Sequence, residues 1–445
     1  MEKVVKIIAD AIIGTEFENN VYLVGGYVRD KIMGNHSDDL DIVVELPKGG
    51  RRLSKFLYEL KLCSKPVIFD NFGTAFVVMN DHKIEFVMTR KEIYRDKDRK
   101  PDVAFGTLKE DIFRRDFTIN SNVIKVNSDD IIDISQKGID DIHNKIIRST
   151  SEPKIIFSED PLRMLRAVRF AVRFGFEIDP ETQKGILNNA EKLSHISWER
   201  RRDELIKMLE SEKPCEAIRM LEEFGLMKNI VPELEKLKNL QQGKYHHLDA
   251  YEHTLLTIKN SVPDITSRLA ALLHDIAKPE TAGTKDGQIH FYGHEHAGAK
   301  QAEKILKRLK FSIAQINKVK SAIFGHMRLK SFADGTSDFS DKALRKLIHR
   351  SEDNLDSILN LIHADNLSHA PQYCLPNQIP TLKERIKKLK ENMNSDKFPL
   401  SGEDLMEKFG IRSGKKVGRL IETAKEIWFE NPNLNKDEIL EKLSD

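Results

Sequence analysis

The sequence predicts an α+β head with a mixed β-sheet and helices at the N-terminus, followed by an all-α remainder. Three observations carry that reading. Short strand-like runs rich in Val, Ile and Phe crowd the first 145 residues, whereas from Asp160 onward the apolar residues recur at helical spacing. The third is a histidine-rich block over roughly 245–370, whose apolar neighbours keep the helical period.

Taken in order, a first helix leads into VYLVGGYVRDKIMGNHSDDLDIVVE, Val21–Glu45, which reads as strand, Gly-Gly turn, short helix, polar loop and second strand. A helix follows near Leu53–Leu60, then strands at Pro66–Phe69, Ala75–Met79, Lys83–Met88 and Ser121–Val126. Thr89–Gly106 is polar and basic with no apolar period and reads as a mobile loop. In DPLRMLRAVRFAVRF, leucines, valines and a phenylalanine alternate with Arg163, Arg166, Arg169 and Arg173, a spacing that by itself describes a solvated charged helix face. A helical block runs to about Leu240, and the three prolines of Pro371–Pro380 read as a linker before a charged helical tail.

At 445 residues the chain is long enough for several cores, and 40% hydrophobic with 32% charged residues describes a soluble globular protein rather than a disordered one. A net charge of +2 excludes a strongly basic protein but leaves room for a basic face on an otherwise balanced surface. Cys63, Cys215 and Cys374 are scattered, without metal or redox spacing, and read as reduced thiols in a cytoplasmic protein. No run approaches 18 apolar residues and the N-terminus lacks a leader pattern, so neither membrane spanning nor export is expected.

Asp39 and Asp41 lie two apart, hence on one side of an extended strand, where their repulsion is best relieved by a shared cation such as Mg²⁺. Gly25-Gly26 lets the backbone approach a phosphate closely. RRDFTINS, Arg114–Ser121, adds guanidinium groups suited to clamping triphosphate oxygens. Such a set fits metal-assisted nucleotidyl transfer, which asks a protein for in-line positioning and charge neutralisation. In that chemistry a 3′-hydroxyl attacks the α-phosphate. Glu85 is a candidate third carboxylate, though a structural role is the better expectation for it.

VGGYVRD, DDLDIVV, RRDFTINS, EDPLRMLRAVRF and ERRRDEL follow one another in that order, and the series resembles the bacterial class II tRNA nucleotidyltransferases, the CCA-adding enzymes of the poly(A) polymerase family. The resemblance covers about 1–240. It implies a nucleotidyltransferase head at 1–145, a neck and body at 146–240 that select nucleotides and bind RNA, and template-independent addition of C, C and A to tRNA from CTP and ATP with Mg²⁺. It further implies Gly25, Gly26, Arg29, Asp30, Arg115, Asp116, Asn120, Asp160, Arg163, Arg166 and Arg169 as nucleotide-binding residues. In the motif Glu159-Asp160-x-x-Arg163, a carboxylate accepts from the exocyclic amino group shared by C and A while a guanidinium donates to ring acceptors. Thr89–Gly106 looks like the flexible loop of complete CCA-adding enzymes. Lys65–Phe76, KPVIFDNFGTAF, departs from the basic segment of poly(A) polymerases. The alternatives are a partial (CC- or A-adding) enzyme or a poly(A) polymerase.

His253, His274-Asp275, His294, His326 and Asp365 recur in a pattern that suits a divalent metal and water activation, and it resembles the HD phosphohydrolase superfamily over 241–372. His253, His274, Asp275 and Asp365 are the expected ligands of Mg²⁺, Mn²⁺, Ni²⁺ or Co²⁺. His294 and His326 support a second metal or bind phosphate, and His246, His290 and His296 read as bystanders. The resemblance implies phosphatase or 2′,3′-cyclic phosphodiesterase activity in end repair, against a domain kept only for tRNA contact. A reading from another class is an HD phosphohydrolase with a degenerate RNA-binding head; a third is a noncatalytic RNA-binding protein. The intact Asp39, Asp41, Arg115, Asp160 and Arg163 speak against both. The tail, 373–445, offers Arg412, Lys415, Lys416 and Arg419 for tRNA phosphates, and Lys304–Phe311 with Lys318 and Lys320 offers a second basic face. The expected partners are tRNA and nucleotide triphosphates, the expected state a monomer or homodimer.

Overall fold

The computed structural model describes the chain apart from residues 38–39, 70–72, 94–101, 328–339, 352–353, 392–397 and 445. Two compact units emerge, residues 1–208 with 216–229 and residues 209–215 with 230–445.

The first unit opens with α1 (Glu2–Ile12), β1 (Val21–Val24), α2 (Gly26–Ile32), β2 (Leu40–Val44) and α3 (Gly49–Glu59). Strands β3 (Val67–Phe69), β4 (Thr74–Met79) and β5 (His82–Met88) follow, then the ribbon β6 (Arg90–Ile93) and β7 (Asp102–Phe105). After α4 (Leu108–Phe113) come β8 (Asn122–Lys125), β9 (Ile131–Asp133) and α5 (Gly138–His143). The main sheet has the order β3-β4-β5-β2-β1-β8-β9, with β2 and β5 parallel and every other neighbouring pair antiparallel. Alternation decides its faces. Leu40, Ile42, Val44, Val77, Ile84 and Phe86 are buried on one side with Val4, Ile8 and Ile12 of α1 and Leu53 and Leu57 of α3. On the other side Val24, Val43 and Val123 pack with Leu108 and Ile112 of α4.

Thr89–Gly106, expected as a mobile loop, is a paired ribbon at its base, Arg90 opposite Phe105 and Ile93 opposite Asp102. Its residues 94–101 lie outside the described chain. The strand ends escaped a periodicity reading because each is only four residues long, and their pairing and the bonds of Arg90 to Asp111 and Arg114 are non-local.

Helices then take over: α6 (Pro153–Glu159), α7 (Leu162–Phe174), α8 (Pro180–Asn189), α9 (Trp198–Leu209) and α10 (Pro214–Glu223). A small parallel pair, β10 (Ile146–Ile147) with β11 (Glu177–Ile178), lies among them. Gly175, in the left-handed region at φ 66°, ends α7.

The second unit contains α11 (Ala250–Asn260), α12 (Ile265–Leu273), α13 (Lys278–Thr281), a hairpin of β12 (Gly283–Lys285) and β13 (Gln288–His290), α14 (His294–Arg308), α15 (Ile313–Gly325), α16 (Asp341–Ser351), α17 (Leu355–Asn366) and α18 (Gln378–Glu391). The hairpin interrupts an otherwise helical region. Pro371–Pro380 is not a linker. Its end starts α18, whose Ile379, Leu382, Ile386 and Leu389 are buried with Leu344, Leu359 and Ile362, while the Asn366 side chain bridges the backbone of Leu375 and the Gln378 side chain. Pro371 opens a short 3-10 turn and Pro380 lies in the first turn of α18, so the prolines sit in packed turns rather than in an extended spacer. The tail helices α19 (Gly402–Phe409), α20 (Lys415–Glu430) and α21 (Lys436–Lys442) enclose Leu405, Ala424, Trp428, Phe429 and Ile439.

Candidate functional site

Asp41 sits exposed on β2 between two neighbours, with Val24 of β1 opposite it on one side and Glu85 of β5 on the other. Directly paired residues share a sheet face, so two carboxylates confront each other there. The Glu85 carboxyl is pushed up from its ordinary value, first by burial and then by Asp41, with Arg90 opposing. This pair of hard oxygen donors suits Mg²⁺. Glu85, expected to be structural, therefore belongs to the site's geometry. Asp39 lies outside the described residues.

Gly25 turns above this pair. Its φ of 68° is one that L side chains rarely adopt, and a Cβ there would lie 3.4 Å from Asp41 Oδ2 and 3.5 Å from Arg115 Nη1. The glycine thus keeps open the space shared by a carboxylate and a guanidinium. Gly26 begins α2, with Arg29 Nη2 3.5 Å from where its Cβ would stand.

Arg115 is aimed by Asp111 at the foot of α4, which accepts from its Nε at 3.3 Å and its Nη2 at 3.1 Å. Asp111 is fully buried and also binds Arg114 Nη2 at 2.5 Å. Burial alone would raise the Asp111 carboxyl, and the two arginines hold it below its ordinary value. The α4 start is fixed by a reciprocal cap between Thr107 and Glu110.

Asp116 is the hub of a buried chain of bonds. Its Oδ1 accepts from Phe117 N at 2.9 Å and Asn120 Nδ2 at 3.0 Å, and its Oδ2 accepts from Arg166 Nε at 2.7 Å. Asn120 Oδ1 in turn accepts from Arg29 Nη1 at 2.9 Å, and Arg29 Nε donates to Asp30 Oδ1 at 2.8 Å. Burial would raise the Asp116 carboxyl, but Arg166 and these donors bring it down to about 2. Arg29 is only 5% exposed and lies 4.6 Å over the Phe174 ring. Arg29, Asp30, Asp116 and Asn120 thus form a buried brace from α2 to α7, beneath the open space at Gly25.

The arginine stripe of α7 is not a solvated face. Arg163, 9% exposed, donates to Ile156 O at 3.0 Å, Glu159 Oε2 at 3.0 Å and Arg114 O at 2.6 Å. Arg169 Nε meets buried Glu204 at 2.6 Å. Asp160 ends α6, caps the next turn through Leu162 N, and accepts from Arg200 of α9 at 2.8 Å. Arg173 alone of the four is exposed. Asp160 and Arg163 thus flank the α6–α7 junction, each with its own partner. Arg200 and Glu204 were hidden within ERRRDEL because nothing local links them to α7.

In the second unit His253 of α11, His274 and Asp275 after α12, His294 at the start of α14, His326 after α15 and Asp365 of α17 are all nearly inaccessible. Each imidazole Nδ1 faces a backbone oxygen: His253 with Ser368, His274 with Ala271, His294 with Phe291 and His326 with Ile323, at 2.5–3.3 Å. With Nδ1–H donating outward, the Nε2 lone pairs point inward. They face one another at 3.4 Å between His253 and His274 and at 3.2 Å between His294 and His326. Asp365 Oδ1 lies 2.9 Å from His253 Nε2, and Asp275 turns Oδ2 to His274 at 3.1 Å and Oδ1 to His294 at 3.6 Å. Opposed lone pairs and carboxylates are a donor set for cations, and Asp275 is common to both groups. The residues fit a divalent metal.

Burial would raise the Asp275 carboxyl, but His274 and Lys278 hold it well below the ordinary carboxylate range. Lys278 Nζ lies 2.6 Å from Asp275 Oδ2. His369 Nε2 is 3.7 Å from Asp365 Oδ1, and the His246 ring packs 4.4 Å from that of His253, so His246 adjoins the cluster rather than standing apart. Lys278 and His369 escaped the sequence reading; HDIAK carries the first only as a third-residue neighbour. His290 stacks on Tyr292 and His296 meets Phe324 edge to face, away from these ligands.

The second basic face is largely spent internally: Lys307 and Lys320 both close on Glu303, and Arg308 on Glu233. Arg412, Lys415, Lys416 and Arg419 of the tail are exposed. The three cysteines are not joined in disulfides, and no helix among the described residues is long and apolar enough to cross a membrane.

Comparison with known proteins agrees with this geometry. Residues 21–148 match the poly A polymerase head domain, 175–238 the probable RNA and SrmB-binding site of polymerase A, and 245–387 the HD domain. An A-adding tRNA nucleotidyltransferase of Deinococcus radiodurans is 30% identical over 421 residues, 91% of this chain and 90% of that one. A CC-adding tRNA nucleotidyltransferase of Thermus thermophilus is 28% identical over 438 residues, 94% and 92% of the two chains. The fold is shared with a Bacillus stearothermophilus CCA-adding enzyme in complex with CTP, at a TM-score of 0.70 and 21% identity over 100% of this chain and 96% of that one. A Thermotoga maritima CCA-adding enzyme complexed with tRNA follows at 0.61 and 22%, over 99% and 94%. With a polymerase-type head, its RNA-binding region and an HD domain in one chain, this protein belongs to the tRNA nucleotidyltransferase family.

Proposed function

We propose that this protein is a cytoplasmic enzyme that builds the 3′-terminal C-C-A of tRNA from CTP and ATP. The observation that carries the reading is the Asp41–Glu85 pair facing the space that Gly25 leaves open beside Arg115. Asp41, with Asp39 and Glu85, would hold Mg²⁺ there, and the metal supplies charge neutralisation at the phosphates and acidifies the attacking hydroxyl. Arg115, aimed by Asp111, clamps the triphosphate, while Arg114 is spent on Asp111 and the Arg90 carbonyl. Asp160 accepts from the amino group that C and A share, and Arg163 donates to their ring acceptors. The brace through Asp116 keeps α7 in register with the RRD turn, so base choice and phosphate position are set together.

Incubating the chain with tRNA transcripts ending before CCA, after C and after CC, with CTP, ATP or both, tests this. Growth of all three to CCA is expected; no incorporation sinks the reading. A second reading has support in the relatives named A-adding and CC-adding. Products that stop at CC, or ATP used only on transcripts ending in CC, would replace complete addition by a partial one.

For the second unit the proposal is metal-dependent hydrolysis of phosphate esters at RNA ends. Four imidazoles and two carboxylates would hold divalent cations, and Lys278, 2.6 Å from Asp275 Oδ2, would meet a phosphate oxygen bound there. With Mn²⁺, Ni²⁺ or Co²⁺ the chain should cleave 2′,3′-cyclic AMP and p-nitrophenyl phosphate. If both stay intact, hydrolysis is discarded and the domain serves RNA contact.

A further inference from the structure

The sheet face that carries Asp41 and Glu85 continues outward, and its outer part is apolar and open. Strand registers place Asp41 opposite Glu85, Glu85 opposite Phe76, and Phe76 opposite Val67, one unbroken row across β2, β5, β4 and β3. Phe69 and Val78 stand on the same face by alternation, as does Lys83, opposite Val78. Val67 is 58% exposed, Phe69 49%, Val78 43% and Phe76 38%, while Ala75, Val77, Ile84 and Phe86 on the reverse face are buried. The two phenylalanines meet edge to face at 5.8 Å. Nearer β1 the same face is covered by Leu108 and Ile112. A row of exposed apolar residues ending at a carboxylate pair calls for a partner.

The site's own asymmetry identifies that partner. Gly25 and Arg115, which take the triphosphate, lie on the β1 side of Asp41. In-line transfer puts the attacking and leaving oxygens on opposite sides of the phosphorus. The acceptor therefore approaches over β5, β4 and β3. At about 4.8 Å per strand, Phe76 lies about 10 Å from Asp41 and Val67 about 14 Å, the reach of the last unpaired nucleotides.

We propose that Val67, Phe69, Phe76 and Val78, with Lys83 at their margin, form the seat of the acceptor's single-stranded 3′ end, unpaired bases stacking on the rings and Lys83 meeting a phosphate. The proposal rests on the transferase reading and names which surface of the head receives the RNA. Stacking on aromatic rings tolerates any base, as an acceptor whose end changes with each addition requires.

The test uses the full chain and a tRNA transcript lacking CCA, with 2-aminopurine at its last position. Without nucleotide, binding should quench the fluorescence, and Phe76→Ala and Phe69→Ala should lose most of the quench. In turnover the same variants should raise the KM for the transcript about tenfold with the KM for CTP unchanged. Phe76→Tyr should restore both. Transcript binding should weaken by no more than that factor, because phosphate contacts along the rest of the tRNA are untouched. No quench in the wild type, or a quench that survives in Phe76→Ala, overturns the proposal. So does sedimentation showing a wild-type dimer that Phe76→Ala dissociates, since a second copy would then own the face. Because the quench needs no turnover, a wild type that adds no nucleotide defeats the transferase reading separately.

Discussion

At the scale of single residues, Asp116 carries a burden that its place in the turn after α4 does not suggest. Its carboxyl titrates at about 2 in the folded chain against an ordinary 3.8, with Arg166 and two donors holding the charge. A depressed carboxyl stabilises above its unfolded value and loses that contribution as pH falls through the folded one. The difference is worth about 2 kcal/mol. Urea unfolding of Asp116→Asn beside the wild type should show that gap undiminished from pH 7 down to about pH 5, shrinking to under half by pH 2.5. A gap independent of pH would mean that Asp116 is not the ionised partner of Arg166. In the proposed reading Asp41 acts on transfer rather than on stability. Asp41→Ala should abolish incorporation with transcript binding intact, and Glu85→Gln should lower kcat by about ten- to a hundredfold, the range of lost metal-orienting groups. Equal rates for Glu85→Gln would return Glu85 to a structural role. Asp41 and Gly25 could be read from D-x-D and Gly-Gly, because both signals are local. Glu85 could not, since its closeness to Asp41 depends on the register of two parallel strands joined by a long crossover.

At the scale of elements, α7 shows where periodicity misleads. Arginines at i, i+3 and i+6 mark one helical face, and the default reading of such a face is solvent. Here other elements cover it: Glu204 of α9 takes Arg169, Asp116 takes Arg166, and the Arg114 carbonyl takes Arg163. Arg163 therefore has a structural duty beside its proposed part in base choice, and the two separate by experiment. Arg163→Ala should lower the thermal midpoint, because it removes the guanidinium bonds to the Ile156 and Arg114 carbonyls, worth about 0.5–1.5 kcal/mol each. It should also raise UTP and GTP use relative to CTP about tenfold. Arg173→Ala, on the exposed flank, should change neither. A melting change without altered nucleotide choice would leave Arg163 a brace and nothing more. The β6–β7 ribbon and the start of α18 escape a linear pattern for a related reason: four-residue strands and a helix start beside prolines carry their signal in pairing and packing.

At the scale of the whole molecule, two donor sets of different chemistry occupy one chain without sharing a residue. Asp41 and Glu85 offer oxygen donors alone, whereas the second unit offers four imidazoles with Asp275 and Asp365, a softer set that favours transition metals. The histidines were legible because His-Asp adjacency is local and their recurrence is dense. Which nitrogen each one turns inward was not, because it depends on a backbone oxygen at Nδ1, the carbonyl three residues earlier for His274, His294 and His326 and the remote Ser368 O for His253. Asp275 is common to both donor groups, so Asp275→Asn should weaken metal binding at each. A metal that binds only the folded chain stabilises it by about 2.7 kcal/mol at a hundred times its Kd. Mn²⁺ should accordingly raise the melting temperature of the wild type and of Asp41→Ala, and leave Asp275→Asn nearly unmoved. In the same preparations Asp275→Asn should still extend tRNA transcripts, while Asp41→Ala should not. If Mn²⁺ shifts Asp275→Asn as far as the wild type, the cluster is not the metal's seat, and its inward-facing imidazoles are bridged by protons instead.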